Sequence, residues 1–267
     1  MIERSAMLSG PDGDLFVVEV GPPRARPLLV VHGGPGEAHD VLRPHLDALV
    51  EATGRRVVYY DQRGGGRSTL APGVAALGLD AHVDDLERVR RTLGDEPIDV
   101  LGFSWGATLA GCWALQSSAR TLTLVAPSPP PGWPSSAPSN AARARSDAFV
   151  AGLGPLPPVH RAFATRVGPT LADVTALARL TPVEVNEAAE RAVWTSIARR
   201  DLAAELAGLR HARVSIVVGA EDPISLGWAR SLAGRIDAPL DVIAGAGHAP
   251  FAETPDAFVR AVRSALA

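Results

Sequence analysis

The sequence predicts an α/β protein whose mostly parallel central sheet is covered by helices. Seven short apolar, β-branched runs recur along the 267 residues, and stretches with helical spacing separate most of them. Several of these runs are continuously apolar rather than alternating, which is typical of strands that are buried on both faces. Strand patterns are missing only between about residues 127 and 209. The pattern therefore indicates a doubly covered parallel sheet with one inserted helical cap.

The individual elements follow from spacing and end signals. In one helical stretch, Val83, Leu86 and Val89 recur at the spacing of a helix face, with Asp80 as the predicted cap. Thr254 is the predicted cap of the last helix, because a proline follows it at the first helical position. The predicted strands are Leu15–Val20, Leu28–Val31, Val57–Tyr60, Ile98–Leu101, Leu122–Val125, Val214–Val218 and Leu240–Ile243.

The insertion begins with a stretch rich in proline and serine, residues 127–138, which reads as a linker. Helical patterns without strands then continue until the strand rhythm resumes. We therefore expect a core domain formed by residues 1–126 and 210–267, with a helical cap formed by residues 127–209. Helices of the cap are predicted at Ala141–Leu153, Val159–Val167, Leu171–Leu180 and Pro182–Arg200.

Composition excludes several classes of function. The formal net charge is −3, so the chain lacks the broad positive field that nucleic acid or an acidic membrane attracts. All 26 basic residues are arginines, which excludes lysine Schiff-base chemistry and serine–lysine dyads. No cluster of His, Cys and Asp has the spacing of metal ligands. We expect no metal and no cofactor, and a small molecule or short peptide as substrate.

The single cysteine bears on the compartment. Cys112 lies in an apolar helical stretch and reads as a small buried hydrophobic residue. One cysteine cannot form a disulfide within the chain, which fits a reducing compartment. No apolar run approaches the roughly 18 residues of a membrane helix. We therefore expect a soluble cytoplasmic protein.

A serine on a predicted strand-to-helix turn is the strongest candidate for chemistry. Ser104 lies within Gly102–Gly106, between the apolar runs Ile98–Leu101 and Ala107–Leu115. Such a turn projects the serine off the carboxyl edge of a sheet, beside the free N–H groups of a helix amino end. The flanking glycines are expected because side chains there would collide where strand and helix cross. Ser104 is therefore the predicted nucleophile.

A serine hydroxyl needs a base within hydrogen-bond reach, and the base needs an orienting acid. The chain order serine, acid, histidine is the one used on this sheet architecture. Asp222 is the predicted acid, since it follows a strand in a turn, and Glu221 is the fallback. His248 is the predicted base, since glycines on both sides let its loop reach over the strand ends.

The developing oxyanion also needs donors. One is predicted to be the backbone N–H of Trp105, directly after the nucleophile. The other should come from the glycine-rich loop His32–Gly36, where bare glycines let a backbone N–H approach a substrate closely. Gly34 is favoured over Gly33 for this role.

Together these motifs resemble an α/β-hydrolase, and within that fold the proline iminopeptidase family of serine exopeptidases. The resemblance is carried by His32–Gly36, Tyr60–Ser68, Gly102–Gly106, the Asp222 turn and Gly247–His248. It implies a helical cap over the site and hydrolysis of amides formed by an amino-terminal residue, often proline. Two side chains of the second motif, Asp61 and Arg63, are expected to brace the loop beneath the site.

The resemblance also concerns substrate binding in the cap. Family members bind the substrate's free amine with cap glutamates, one of them commonly in a Trp-Glu pair, whereas Trp194 is followed here by Thr195. Glu184, Glu187 and Glu190 are possible substitutes. Glu187 and Glu190, which share a face of the helix that carries Trp194, are the predicted substrate-binding residues together with Trp194; a solvated helix face is the alternative interpretation.

The leading interpretation is a serine hydrolase of a small amide or ester that works through an acyl-enzyme, most like a proline iminopeptidase. An esterase, a lactonase or a biosynthetic acyl hydrolase that lacks amine recognition is the alternative. A ligand-binding protein on a hydrolase scaffold remains a third possibility. Dehalogenases and epoxide hydrolases need an acid at the nucleophile position, and Ser104 argues against both.

Overall fold

An eight-stranded sheet forms the centre of the molecule in the computed structural model, which describes residues 2–73, 76–94, 96–117, 119–134, 137–198, 200–209 and 213–267. The strands are β1 (Glu3–Leu8), β2 (Leu15–Val20), β3 (Pro27–Val31), β4 (Arg56–Tyr60), β5 (Ile98–Phe103), β6 (Ala119–Val125), β7 (Arg213–Gly219) and β8 (Leu240–Ile243). Their order is β1-β2-β4-β3-β5-β6-β7-β8. The pairs β1–β2 and β2–β4 are antiparallel, and all others are parallel. The predicted fold class, a mostly parallel α/β sheet, is confirmed.

Helices occupy the connections between the strands. They are α1 (Leu49–Thr53), α2 (Leu79–Thr92), α3 (Trp105–Ala114), α4 (Asn140–Gly152), α5 (Pro158–Val167), α6 (Glu187–Ile197), α7 (Leu202–Leu206), α8 (Leu226–Ile236), α9 (Pro250–Glu253) and α10 (Pro255–Leu266). Among the described residues, no helix combines the length and the hydropathy needed to cross a bilayer.

The continuously apolar strands have a simple cause in the packing. Along β3, Leu29 and Val31 belong to the core on one face of the sheet, whereas Leu28 and Val30 belong to the core on the other face. Successive side chains of a strand point to opposite faces, so a strand covered on both sides must be apolar at every position. All seven predicted strands are present, and burial on both faces explains continuous apolar runs such as that of β3, whereas β8 lies at the second edge of the sheet and exposes Asp241 and Val242.

The first strand, β1, is the one that the sequence pattern missed. It pairs only with β2, at the edge of the sheet, and five of its six residues are exposed. An edge strand of this kind buries little apolar surface, so it lacks the hydrophobic pattern by which the other strands were found.

The insertion between β6 and β7 is shorter in helix than its sequence predicts. The stretch predicted as a helix at Leu171–Leu180 forms 3₁₀ turns, including Val174–Arg179. The helix predicted at Pro182–Arg200 is limited to α6, while α7 was not predicted. Residue 210, where the second core segment was expected to begin, lies outside the described residues, as does residue 199.

Asn186 explains where α6 begins and how the insertion meets the sheet domain. Its side-chain oxygen accepts hydrogen bonds from the N–H groups of Ala188 and Ala189, which caps the helix. Its own N–H donates to the carbonyl of Gly36 at 2.9 Å, and its side-chain amide donates to the carbonyl of Gly64 at 2.8 Å. One residue therefore joins α6 to two glycine-rich loops of the core.

Two predicted helix caps differ from the structure. Asp80 does not cap α2, because the helix begins at Leu79. The N–H of Leu79 instead donates to the hydroxyl of Ser196 on α6, at 3.0 Å. Thr254 does occupy the position before α10, but its hydroxyl donates to the carbonyl of Pro250 at 3.3 Å rather than capping the helix.

The contact between α6 and α2 gives a testable expectation. Ser196→Ala removes the acceptor for the Leu79 N–H and should lower the free energy of unfolding by about 1 kcal/mol, as other lost helix caps do. Thr195→Ala is the matched control, because the Thr195 hydroxyl donates only within its own helix, to Arg191. Urea denaturation measures both variants. Equal stability of the two would show that the Ser196 contact contributes nothing.

Candidate active site

Ser104 stands on a sharp turn between β5 and α3. Its backbone has φ 55° and ψ −121°, a left-handed conformation that a residue other than glycine rarely adopts. The N–H of Ser104 donates to the carbonyl of Val125 on the neighbouring strand at 2.9 Å, which helps to hold this conformation. The turn projects the side chain beyond the carboxyl edge of the sheet, as the sequence predicts.

The glycines beside Ser104 are required by close packing. A Cβ atom on Gly102 would collide with the backbone of Gly106 and Ala107, at the start of α3. A Cβ atom on Gly106 would collide with the carbonyls of Val31 and His32, at the end of β3. Both glycines therefore let α3 lie directly against the strands that it crosses.

The structure brings Ser104, His248 and Asp222 into one hydrogen-bonded chain. The Nε2 atom of His248 lies 3.1 Å from the Oγ atom of Ser104. Its Nδ1 atom lies 2.9 Å from Oδ2 of Asp222. The other oxygen of Asp222 accepts hydrogen bonds from the N–H groups of Ile224 and Ser225, which fixes the carboxylate. The fallback acid, Glu221, is exposed and takes no part in this chain.

Electrostatics favour one arrangement of protons in this chain. Burial by itself lowers the pKa of His248, but the charge and hydrogen bond of Asp222 outweigh it, and the pKa is raised above its ordinary value. Burial opposes ionisation of Asp222, yet His248 and two backbone N–H groups hold the pKa of that carboxyl below its usual range. Asp222 is thus ionised near neutral pH, and it orients Nδ1–H so that Nε2 faces the serine.

The two residues predicted to donate to the oxyanion border the same cavity as Ser104. Trp105 is the first residue of α3, where a helical N–H has no partner within the helix. Gly34 lies in the loop after β3 with φ 50°, and both residues line the cavity that contains Ser104. Gly33 does not line this cavity, and its carbonyl accepts a hydrogen bond from Nδ1 of His32 at 2.8 Å.

A buried amide joins the two donor segments. The side chain of Gln62 donates to the carbonyl of His32 at 2.7 Å and accepts from the indole N–H of Trp105 at 2.9 Å. Its backbone N–H donates to Nε2 of His32, whose pKa is lowered to about 4 by burial, so the ring is neutral and can accept. Sequence reasoning missed Gln62, although it lies between two residues that were singled out.

Asp61 and Arg63, the residues on either side of Gln62, lie outside the cavity. Asp61 accepts hydrogen bonds from the backbone and ring of His39 and from the N–H of Arg67. Arg63 makes two hydrogen bonds to Asp85, at 2.7 and 3.0 Å. Within the described chain, His39, Asp40 and Asp61 bring possible metal-ligand atoms within 4.8 Å of one another. However, Arg67 pairs with both carboxylates there, so the cluster is an ion-pair network.

Ser104 and His248 open onto a cavity of about 340 Å³ between the sheet edge and the insertion. Its walls are mainly apolar, and they come from core loops and from the insertion, including α5 and α6. A cavity of this size with few polar groups suits a small substrate. The principal apolar wall residues are Val41, Phe103, Phe163, Leu180, Ile224 and Phe251.

The structure brings two of the three predicted cap residues to this cavity. Glu190 and Trp194 line it, and the ring of Trp194 packs edge-on against Trp105, with centroids 5.9 Å apart. Glu187 does not line it: this residue starts α6 at the rim, and 79% of its side chain is exposed. The three-residue spacing correctly put Glu187 and Glu190 on neighbouring positions but could not tell where the cavity ends.

Glu37 and its partner Arg166 are charged cavity residues that the sequence analysis missed. Glu37 follows the glycine-rich loop directly, lines the cavity and has only 11% of its side chain exposed. Burial raises the pKa of Glu37, and the charge of Glu190 adds to this effect, while an ion pair with Arg166 of α5 opposes it. The cavity therefore contains two carboxylates and one guanidinium. The position of Glu37 directly after the glycine-rich loop His32–Gly36, which was predicted to approach the substrate, was the sequence signal that could have pointed to this residue.

Ser128 is a second residue that the sequence did not reveal. Its hydroxyl lies 3.2 Å from the hydroxyl of Ser104, and it lines the cavity. Ser128 falls in the proline- and serine-rich stretch 127–138, whose composition predicts a linker. Nothing in the sequence therefore indicated that this residue lies beside Ser104.

Comparison with known proteins agrees with this geometry. A family model described as "alpha/beta hydrolase fold" matches residues 26–162, just over half of the chain. The chain therefore belongs to the α/β-hydrolase family and is a hydrolase.

Within that family, the chain is similar to proline iminopeptidases. It is 44% identical over 86 residues to the proline iminopeptidase of Lactobacillus delbrueckii subsp. lactis. The aligned residues make up 32% of this chain and 29% of that protein. It is 38% identical over 112 residues to the enzyme of Xanthomonas citri, covering 42% and 34%. The match thus spans about a third of these curated relatives. A crystal structure of a proline iminopeptidase-related protein from Thermus thermophilus is 30% identical over 100% of this chain and 98% of that one, with a TM-score of 0.77.

Proposed function

We propose that the protein is a serine hydrolase of the proline iminopeptidase type, which cleaves a small amide formed by an amino-terminal residue. The observation that carries the proposal is the hydrogen-bonded chain Ser104–His248–Asp222 at a cavity that also contains two carboxylates. The hydrogen-bonded chain supports nucleophilic catalysis, and the carboxylates support binding of a cationic amine. The similarity to proline iminopeptidases supports the same substrate class.

In the proposed acylation step, Nε2 of His248 accepts the proton of the Ser104 hydroxyl as its oxygen attacks the substrate carbonyl. Asp222 stabilises the imidazolium that forms and keeps the ring oriented. The N–H groups of Gly34 and Trp105 then donate to the oxyanion, where donors in a largely closed site are worth several kcal/mol. His248 returns the proton to the leaving amine as the C–N bond breaks.

Deacylation repeats these roles with water as the nucleophile. His248 accepts a proton from water, the water oxygen attacks the acyl carbon, and the proton returns to Ser104 as the acid leaves. The hydroxyl of Ser128, 3.2 Å from that of Ser104, can accept from the free Ser104 hydroxyl or donate to it, and it can only donate to the ester oxygen of the acyl-enzyme. No cofactor takes part in this scheme.

The charges in the cavity support recognition of an amine. Counting Glu37, Glu190 and Arg166 with their ordinary charges, this end of the cavity carries one excess negative charge. An unpaired charge in a mostly apolar cavity is costly, so a substrate ammonium would be bound more tightly than a neutral group. Glu190 is the proposed main ligand, because Glu37 is already paired with Arg166. Trp194 would form the wall beside it.

The alternative is an esterase or lactonase, and a specific observation favours it. Most of the cavity wall is apolar, and Arg166 neutralises one of the two carboxylates. Trp194 is followed by Thr195 rather than by a second carboxylate. A neutral acyl group would fit such a site without needing an ion pair.

The nucleophile can be tested directly. A fluorophosphonate probe should label the protein, and Ser104→Ala should abolish labelling. Turnover of prolyl or alanyl arylamides, or of short acyl esters, should fall by about 10⁴- to 10⁶-fold in Ser104→Ala and in His248→Ala, because the residues act as a unit. Ser128→Ala is the control for loss of a neighbouring hydroxyl and should retain labelling. Parental turnover in Ser104→Ala would end the covalent hypothesis.

The pH dependence follows from the raised pKa of His248. Only neutral imidazole can accept the serine proton, so kcat/KM for a neutral ester should fall as the pH drops through that pKa. Because Asp222 raises the pKa, the acid limb should lie above the ordinary histidine value of about 6.5. Asp222→Asn should move the limb to lower pH and reduce kcat by up to about 10⁴-fold. A flat profile from about pH 5 to 9, with chemistry limiting, would contradict this role.

Amine recognition separates the two candidate functions. Glu190→Gln should raise KM for free-amine substrates at least about tenfold, or ~1.4 kcal/mol, since it removes the charge that meets the ammonium. Amine-blocked and ester substrates should be nearly unaffected. Glu187→Gln is the matched control on the same helix, and it should behave like the parent because its side chain lies outside the cavity.

Glu37 needs a different control, because Glu37→Gln leaves Arg166 without its partner. The double variant Glu37→Gln/Arg166→Gln removes the pair and should keep amine selectivity if Glu190 is the main ligand. If Glu190→Gln and the double variant both hydrolyse every substrate as the parent does, these residues do not bind the substrate's ammonium group. The esterase interpretation is then preferred.

A further inference from the structure

One carboxylate outside the cavity holds the loop that carries His248. Glu253 is the last residue of α9, and its Oε1 atom accepts a hydrogen bond from the N–H of Ala249 at 3.0 Å. Its Oε2 atom accepts from the N–H of Gly247 at 3.0 Å. The two amides stand on either side of His248, so both bonds fix the backbone from which the imidazole extends.

The same carboxylate also holds the insertion. Oε2 of Glu253 accepts from the N–H groups of Ala172 and Asp173, at 2.7 and 3.1 Å. These residues lie directly after the 3₁₀ turn Gly168–Thr170, which packs against α4 and α5. Four backbone donors therefore converge on one side chain, two from the histidine loop and two from the insertion.

The two backbones meet at close range. The N–H of His248 donates to the carbonyl of Thr170 at 3.0 Å. A Cβ atom on Gly247 would collide with the carbonyl of Thr170 and the N–H of Ala172, so this approach requires glycine. The position of His248 is thus set jointly by its own loop and by the segment 170–173.

We propose that Glu253 is a positioning residue, which couples docking of the segment 170–173 to the orientation of the His248 imidazole. Release of that segment would free the histidine loop, so an insertion that opens to admit substrate would also switch off the base. This inference deepens the proposed function and rests on it for its kinetic consequences. It makes no use of the amine-binding residues.

The charge of Glu253 affects the pH dependence of kcat/KM, which a purely structural role of this residue would leave unchanged. Three carboxylates on different elements act electrostatically on the largely buried His248 ring: Asp222 after β7, Glu37 after β3 and Glu253 on α9. Each favours the imidazolium and raises the pKa of His248, against the lowering effect of burial. Removing the charge of Glu253 should therefore move the acid limb of kcat/KM to lower pH.

Three variants separate geometry from charge, assayed with a short acyl ester. Glu253→Gln keeps the length but loses the charge and places an amide against the Ala249 N–H; kcat should fall about 10- to 100-fold, with the acid limb moved to lower pH. Glu253→Asp keeps the charge but is one methylene shorter; kcat should fall with a smaller movement of the limb. KM should change much less than kcat in both. Asp256→Asn, an exposed carboxylate three residues further on, should match the parent.

Rates are normalised to the fraction of sites that a fluorophosphonate titrates, so misfolded protein does not count. The proposal is overturned if Glu253→Gln has the parental kcat per titrated site and the parental acid limb. A loss confined to the titrated fraction would likewise overturn it, since Glu253 would then only stabilise the fold.

Amide hydrogen exchange tests the coupling without any substrate. In Glu253→Gln, the segments 168–175 and 245–252 should exchange about tenfold or more faster, and together, while the β4 segment stays unchanged. Acceleration of only one segment, or of neither, would refute the coupling. If the parent protein shows no turnover that depends on Ser104, the proposed function fails, but this exchange result still decides whether Glu253 joins the two segments.

Discussion

The close crossing of α3 over the carboxyl ends of β3 and β5 is the constraint on which the rest of the structure depends. Glycine at positions 102 and 106 lets the helix approach the strands, and Ser104 turns the chain between them with a positive φ of 55°. That conformation places the hydroxyl beyond the carboxyl edge of the sheet, at the start of α3. The loops that carry His248 and Asp222 extend the hydrogen-bonded chain from the Oγ atom of Ser104.

The other groups of the site reach Ser104 from separate loops, and buried polar contacts fix each loop. Gln62 ties the loop of Gly34 to the indole of Trp105, while backbone N–H groups hold Asp222. These contacts are buried, so a missing partner would leave a polar group without water or protein to satisfy it. The donor and acceptor positions around the serine are consequently set before any substrate binds, which is the condition for electrostatic catalysis.

The insertion is joined to the core by apolar packing on both faces of the sheet and by polar contacts near the site. Asn186 bonds to two glycine-rich loops, Ser196 caps α2, and Glu253 bonds to both sides of the junction. Each such contact is worth about 1 kcal/mol, so together they add to the apolar packing without replacing it. Asn186, Ser196 and Glu253 thus help to fix the position of the insertion that covers the cavity at Ser104.

The sequence by itself predicted seven of the eight strands, the mostly parallel sheet and the candidate residues Ser104, Asp222 and His248, because apolar runs and glycine-flanked turns are local signals. It could not find β1, whose exposed edge position leaves no hydrophobic pattern, or the limits of α6. Only the tertiary structure decided which carboxylates line the cavity. Glu190 lines it and Glu187 does not, while Glu37 lines it from the loop after β3. Those contacts depend on loops that meet over long sequence distances, and no spacing along the chain records where such loops come together.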